Sequence, residues 1–155
     1  MKVAVVTISD RAFRGEYEDL SGPEIERLLK ARFPDSVVAR RVVPDEPEAI
    51  FAALEAEAGA DVILTTGGTG LSKRDVTPEV CRRFCDREAP GISEALRTQS
   101  YAETPAAMLS RGYAGLRGTC LVVNFPGSVK AVRRCMEVFG PVMEHALRMI
   151  RGEGH

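Results

Sequence analysis

Residues 61–70 read Asp61-Val62-Ile63-Leu64-Thr65-Thr66-Gly67-Gly68-Thr69-Gly70. The run from Val62 to Thr66 is apolar or β-branched without a polar alternation, as expected of a strand covered on both faces. It passes directly into three glycines within four residues. Working outward, Val3 to Ile8 has the same character, Val37 to Val43 predicts a second strand, and Thr119 to Val123 predicts the last clear one. Helical periods fill the intervals. Ser21-Gly22-Pro23-Glu24 predicts a helix start, with Ser21 as cap, Pro23 in the first turn and Glu24 completing a capping box; Ile25, Leu28, Leu29 and Phe33 continue it until Pro34. Asp45, three residues before Glu48, predicts the start of a helix through Ile50, Leu54 and Ala58 that closes at Gly59. Thr77-Pro78-Glu79 opens a helix expected to reach about Glu88. Pro90-Gly91 breaks it, and another runs to about Tyr101. The last helix carries Val132, Met136, Phe139, Met143, Leu147 and Ile150, with Pro141 expected to kink or split it. Arg11 to Leu20 reads as a loop.

Strands that alternate with helices predict an α/β fold, with a parallel or mostly parallel sheet and helices on both faces. A length of 155 residues suits one domain, placed at 1–150, with a frayed tail at 151–155. No internal repeat, low-complexity tract or linker interrupts it. Twenty-one basic and 22 acidic residues give a net charge of −1, which does not support a global grip on nucleic acid. The apolar start is too short for a signal-peptide core or a membrane span. Cys81, Cys85, Cys120 and Cys135 form no C-x-x-C pair, and His145 and His155 stand far from them in sequence. Reduced thiols in a cytosolic protein are expected rather than a zinc site.

In an open parallel sheet, ligands bind beyond the carboxyl ends of the strands. Four such ends carry polar or glycine-rich turns: Ser9-Asp10-Arg11, Pro44-Asp45-Glu46, Gly67-Gly68-Thr69-Gly70 and Asn124-Phe125-Pro126-Gly127-Ser128. The glycine turn suits close approach of backbone N–H groups to an anion, with Thr69 adding a hydroxyl and Lys73 and Arg74 adding charge. A tight turn that needs positive φ is the competing explanation. The turn is neither a P-loop nor a dinucleotide fingerprint. Asp75 is either a Mg²⁺ ligand beside bound phosphate or a surface partner of Arg74. Asp45 is either a second rim carboxylate or a helix cap. Two carboxylates with Mg²⁺ suit attack on an α-phosphate. Asp10 is a rim or turn residue. Arg11 and Arg14 are anion contacts or solvated charges. Asn124 meets a ligand or holds the turn, and Ser128 lines the rim or caps the last helix. Ser110-Arg111 carries no mechanism legible from the residues alone. No Ser-His or Cys-His nucleophile system emerges. The residues by themselves therefore reach a phosphate or nucleotide ligand with a metal.

Six motifs occur together in order: Val6-Thr7-Ile8-Ser9-Asp10-Arg11, Val43-Pro44-Asp45-Glu46, Thr66-Gly67-Gly68-Thr69-Gly70, Lys73-Arg74-Asp75-Val76-Thr77-Pro78-Glu79, Pro105-Ala106-Ala107-Met108-Leu109-Ser110-Arg111 and Asn124-Phe125-Pro126-Gly127-Ser128. Through them nearly the whole chain resembles the molybdopterin adenylyltransferase family, and the matching domain of the plant and animal fusion proteins of that pathway, gephyrin among them. The resemblance implies a three-layer, molybdopterin-binding-like sandwich, usually a homotrimer. It implies a cytoplasmic nucleotidyltransferase of molybdenum cofactor biosynthesis that transfers AMP from ATP to molybdopterin with Mg²⁺ and releases pyrophosphate, and a possible hand-over of its product to a metal-insertion enzyme. It makes Asp45 and Asp75 the metal and catalytic carboxylates and Gly67, Gly68, Thr69 and Gly70 the ligand loop. It places Ser9, Asp10, Ser110, Asn124, Pro126, Gly127 and Ser128 around one pocket. Some bacterial members continue past the last helix; the motifs lie upstream of that point, so activity is expected without the extension. A sister group of the fold lacks clear transfer activity, and the Arg74–Glu79 stretch looks more like the active branch. The alternatives are a non-catalytic molybdopterin carrier or scaffold, and an enzyme of the same superfold acting on a pyridine nucleotide.

Overall fold

A computed structural model of the chain describes residues 1–153. Its elements are β1 (Lys2–Ile8), α1 (Asp10–Phe13), α2 (Ser21–Arg32), β2 (Val37–Val43), α3 (Pro47–Ala56), β3 (Val62–Thr66), α4 (Thr77–Phe84), β4 (Arg87–Glu88), α5 (Pro90–Tyr101), a 3₁₀ turn (Pro105–Leu109), β5 (Ala114–Arg117), β6 (Cys120–Phe125) and α6 (Val129–Ile150). The sheet runs in the order β2-β1-β3-β6-β5-β4. β2, β1, β3 and β6 are parallel, while β5 runs antiparallel to both β6 and β4. The expected mostly parallel α/β sheet is the observed one.

Why the central strands lack alternation is visible in the packing. Val3, Val5, Val62, Leu64, Leu121 and Val123 face α2, α5 and α6. Ala4, Val6, Ile8, Ile63 and Val122 face α3 and α4. Each strand has two buried faces, so both sets must be apolar. In α6 the residues Val132, Cys135, Met136, Phe139, Met143 and Leu147 form one buried stripe at three- and four-residue spacing. No described helix is long and apolar enough to cross a membrane.

The structure departs from the sequence reading in several places. Asp10–Phe13 is a short helix rather than loop, because Ser9 Oγ accepts from Ala12 N (3.2 Å) and caps it. Ser21 does not cap α2. Asp19 Oδ1 accepts from Gly22 N instead (3.0 Å), and Glu24 is drawn away to Arg27 and Arg133. α3 ends at Ala56, short of Ala58. α4 stops at Phe84 rather than Glu88, because residues 85–89 are recruited to the sheet: Asp86 N donates to Leu116 O (2.7 Å) and Ala89 N to Ala114 O (2.8 Å). β5 has no counterpart among the strands the sequence predicts. Gly115 interrupts its apolar pattern, and it is made a strand by pairing to β6 across the Gly118-Thr119 hairpin. Pro141 does not break α6; it and Glu137 are exposed, so the carbonyl it leaves unbonded faces water. Of the expected frayed tail, Arg151, Gly152 and Glu153 donate back to carbonyls of the last turn of α6, and 154–155 lie outside the described residues. Asp61 binds both ends of the described chain, accepting from Lys2 N (2.7 Å) and from Arg151 Nη2 (3.0 Å).

Candidate active site

Because β2, β1, β3 and β6 are neighbours and parallel, the four turns that follow them emerge at one end of the sheet. β1 is followed in the chain by β2 on one side, and the chain then crosses to β3 on the other. Between β1 and β3 the strand order therefore reverses, and a crevice opens there. It has a volume of about 390 Å³ and is lined by Ser9, Asp19, Gly67, Gly127 and Ser128, among others.

The glycine loop is held tightly. Gly67 has φ +100° and Gly68 φ +63°, both in the region L side chains avoid. A Cβ on Gly67 would strike the Ile8 carbonyl, and one on Gly68 would strike Thr77 Oγ1 and stand 3.2 Å from Asp45 Oδ1. Thr77 closes the loop: its hydroxyl donates to Gly67 O (3.0 Å) and its amide to Gly68 O (3.1 Å). The tight-turn explanation is thus part of the answer. The anion explanation survives beside it, since among the described residues the N–H groups of Gly68, Thr69 and Gly70 have no protein acceptor.

Asp45 and Asp75 both lie against this loop. Asp45 does not cap α3, whose N-cap is Glu46 with no side-chain bond. Instead Asp45 Oδ2 accepts from Asp10 N (2.8 Å) and Asp10 Oδ1 accepts from Asp45 N (3.0 Å), a reciprocal clasp between the β1 and β2 turns. Asp75 Oδ2 accepts from Ser72 N (2.8 Å), and a Cβ on Gly70 would stand 2.9 Å from that oxygen. Asp75 is not the partner of Arg74. The Arg74 guanidinium reaches Asp10 through three bonds of 2.8–3.1 Å and Glu46 through one of 3.0 Å, so one side chain ties three rim turns together. Burial raises the Asp45 carboxyl above its ordinary range, and the charges of Asp10 and Asp75 add to this against the opposing pull of Arg74 and the Asp10 amide. At Asp10 burial also pushes upward, but the bonds from Arg74 and the Asp45 amide, with the Arg74 charge, hold it below its usual value. Arg14 is committed to Glu16, and Arg11 stacks on Tyr17.

The remaining predicted residues divide between two clefts instead of one pocket. Ser9, Gly67 and Gly127 line the crevice at the strand-order reversal. A Cβ on Gly127 would lie 3.3 Å from Gly67 Cα, so the two turns meet through their backbones. Ser110, Asn124 and Pro126 line a second cleft of about 220 Å³ between α5, the 3₁₀ turn and α6, where Arg97, Lys130 and Arg134 also stand. Ser128 borders both clefts and caps α6, its Oγ accepting from Ala131 N (3.2 Å). Asn124 is 2% exposed. Its amide nitrogen donates to Thr65 Oγ1 (2.9 Å) and Cys81 Sγ (3.1 Å), and its oxygen accepts from Tyr113 N (3.0 Å). Asp45 and Asp75 line neither cleft and stand at the rim beside them. Arg111, for which the sequence offered no mechanism, binds the carbonyls of Gly70 and Asp75 and the carboxylate of Glu79.

Asp45 and Asp75 each leave one carboxylate oxygen open to a cation. Asp45 Oδ1 and Asp75 Oδ1 have no hydrogen-bond partner among the described residues. No cluster of three or more metal-binding side chains occurs among those residues, so a cation here would complete its shell with water and phosphate oxygens. That is the habit of Mg²⁺.

The family model described as "Probable molybdopterin binding domain" matches residues 4–145. The molybdopterin adenylyltransferase of Helicobacter pylori is 37% identical over 154 residues, covering 97% of this chain and 88% of that protein. The molybdenum cofactor synthesis protein cinnamon of Drosophila melanogaster is 39% identical over 149 residues, 94% of this chain, which spans only 25% of that longer protein. The crystal structure of the molybdopterin biosynthesis enzyme MoaB from Thermus thermophilus superposes with a TM-score of 0.89 at 44% identity, covering 97% of this chain and 96% of that one. With an open sheet of this order and a match over nearly its full length, the chain belongs to the molybdopterin-binding domain family of molybdenum cofactor biosynthesis.

Proposed function

We propose that this protein is a molybdopterin adenylyltransferase that joins AMP from ATP to molybdopterin and releases pyrophosphate. The observation that carries the reading is the rim itself: among the described residues, two carboxylates each have an oxygen free of protein donors and flank a loop whose three consecutive amides are also without an acceptor. Those amides suit phosphate oxygens, and the carboxylates suit the cation that accompanies a nucleotide. The molybdopterin ring is assigned to the cleft between α5 and α6, which has apolar walls from Leu96 and Ala131 and cations at its edge. The ATP phosphates are assigned to the glycine loop.

Asp45 and Asp75 would hold Mg²⁺, which offsets charge on the phosphates and the departing pyrophosphate. The chain's own part is positional. The loop amides fix the phosphate, the Asp10–Asp45 clasp fixes one carboxylate, and the Ser72 amide fixes the other. An acceptor oxygen of molybdopterin then bonds to the α-phosphorus as the bond to pyrophosphate breaks, a reaction served by orientation and charge rather than by a protein nucleophile. A carrier or scaffold would use the cleft but leave the open rim carboxylates without a task. The same reading includes a homotrimer, the family's usual assembly, hand-over to a metal-insertion enzyme, and a cytoplasmic setting, which four free cysteines suit.

The test is an anaerobic end-point assay with metal-free molybdopterin, ATP and Mg²⁺. The wild type should form adenylylated molybdopterin. Asp75→Asn should lower turnover by ~10²-fold or more while molybdopterin affinity changes little. Binding without product in the wild type would return the protein to the carrier reading.

A further inference from the structure

Arg111 sits between the second cleft and the carboxylate rim: its bonds run to the rim, and its chain neighbours Ser110 and Gly112 line the cleft. Its main-chain N–H donates to Thr69 O (2.8 Å). Its Nε donates to Gly70 O (2.8 Å), one amino group bonds the Asp75 carbonyl, and the guanidinium pairs with Glu79 in the first turn of α4. One side chain thus grips both ends of the segment 70–75 that presents the Asp75 carboxylate. On the other side, its neighbours are walls of the second cleft. Ser110 and Gly112 line it, Gly112 N donates to Ser110 Oγ (3.3 Å), and Arg97 from α5 donates to Gly112 O (2.8 Å). Ser110 Oγ also stands 3.5 Å from Thr69 Oγ1. A molecule that presses on Ser110 or Arg97 therefore moves a backbone that Arg111 ties directly to Gly70 and Asp75.

Resting on the adenylyl-transfer reading, we propose that Arg111 is a positioning residue that sets Asp75 and transmits occupation of the α5–α6 cleft to the carboxylate rim. The cleft and the rim then act as one unit: the rim reaches its working geometry when molybdopterin is in place. A planar guanidinium can serve three acceptors at fixed angles, which an ammonium on a flexible stem cannot. Displacing a catalytic carboxylate by about 1 Å is enough to cost ~10²-fold in rate.

The experiment pairs amide hydrogen exchange with turnover, using wild type, Arg111→Gln and Arg111→Lys. Molybdopterin without ATP should protect 105–112 and also 70–75 in the wild type. In Arg111→Gln it should still protect 105–112, but protection of 70–75 should vanish. The kcat should fall ~10²-fold with the KM for molybdopterin changed only a few-fold, and Arg111→Lys should recover little of the loss. If Arg111→Gln does not fold by circular dichroism, Arg111→Lys carries the same comparison. Protection of 70–75 that persists in the variant, its absence in the wild type, or a kcat within two-fold of wild type would each overturn the coupling. Wild-type protection without adenylylated product would keep the coupling and sink the adenylyl-transfer reading instead.

Discussion

At the residue scale, two polar side chains have their tasks set by partners far away in sequence. Glu24 is nearly buried and accepts from Arg27 and from Arg133, 109 residues on. The bonds from these two guanidinium groups lower its carboxyl to about 2, against an opposing effect of burial. A folded-state value below the unfolded one stabilises above the unfolded value and is lost as pH falls toward the folded one. Glu24→Gln should therefore destabilise by about 1–2 kcal/mol at neutral pH. In urea unfolding that difference should shrink as pH drops below the ordinary glutamate value and be gone near the folded one. Asn124 makes a sharper distinction between roles. Its three bonds all run to Thr65, Cys81 and Tyr113 inside the protein, so Asn124→Ala should cost about 2 kcal/mol, a Tm loss of ~4–8 °C. Turnover of the molecules that remain folded should change far less than in Asp75→Asn. The place of Asp45 and Asn124 at strand ends was legible, and that of Asp75 from its position beside the glycine loop. Which of them faces a ligand was not, because that depends on Tyr113, Asp10 and Gly70, whose proximity exists only after the sheet has closed.

At the element scale, the glycine loop combines two demands that separate substitutions can isolate. Gly67 needs positive φ and also has the Ile8 carbonyl where a Cβ would be, whereas Gly118 needs positive φ with nothing within 4 Å. Gly118→Ala should cost only the conformational term, about 1 kcal/mol. Gly67→Ala should cost ~3 kcal/mol, since the clash adds to the strain. Equal losses in denaturant midpoint for the two variants would show that the contact with β1 is unimportant. Elements with a local signal were legible: β1 and β3 from their apolar runs, β2 from its four valines, and α6 from its stripe. β4 and β5 were not, for a physical reason. Arg87-Glu88 and Ala114-Gly115-Leu116-Arg117 have little intrinsic strand preference; β5 is extended because β6 offers it an edge, and β4 because β5 does. The Arg111 clamp shares that origin, arising where the chain returns from the 3₁₀ turn to the sheet.

At the scale of the whole molecule, the rim turns and the ends of the described residues occupy opposite poles. The four turns with the predicted site residues leave the carboxyl ends of the strands, while Asp61, just before β3, ties Lys2 and Arg151 together at the amino ends. This division was half legible. Alternating strands and helices imply a functional rim, but nothing local in Asp61 announces contacts with residues 59 and 90 positions away. The tie has a consequence for rewiring the polypeptide. Ends that meet can be bridged by a short flexible linker, and new ends can be cut elsewhere without changing which surfaces pack. The open hairpin at Gly118-Thr119 is the natural place to cut. A circular permutant opened there should fold with the same far-ultraviolet spectrum and keep its turnover, because neither the seam nor the cut touches the rim. The same geometry makes this domain portable: a neighbour fused at either pole-side terminus would hang from the floor of the sheet and leave the entrance to the clefts clear.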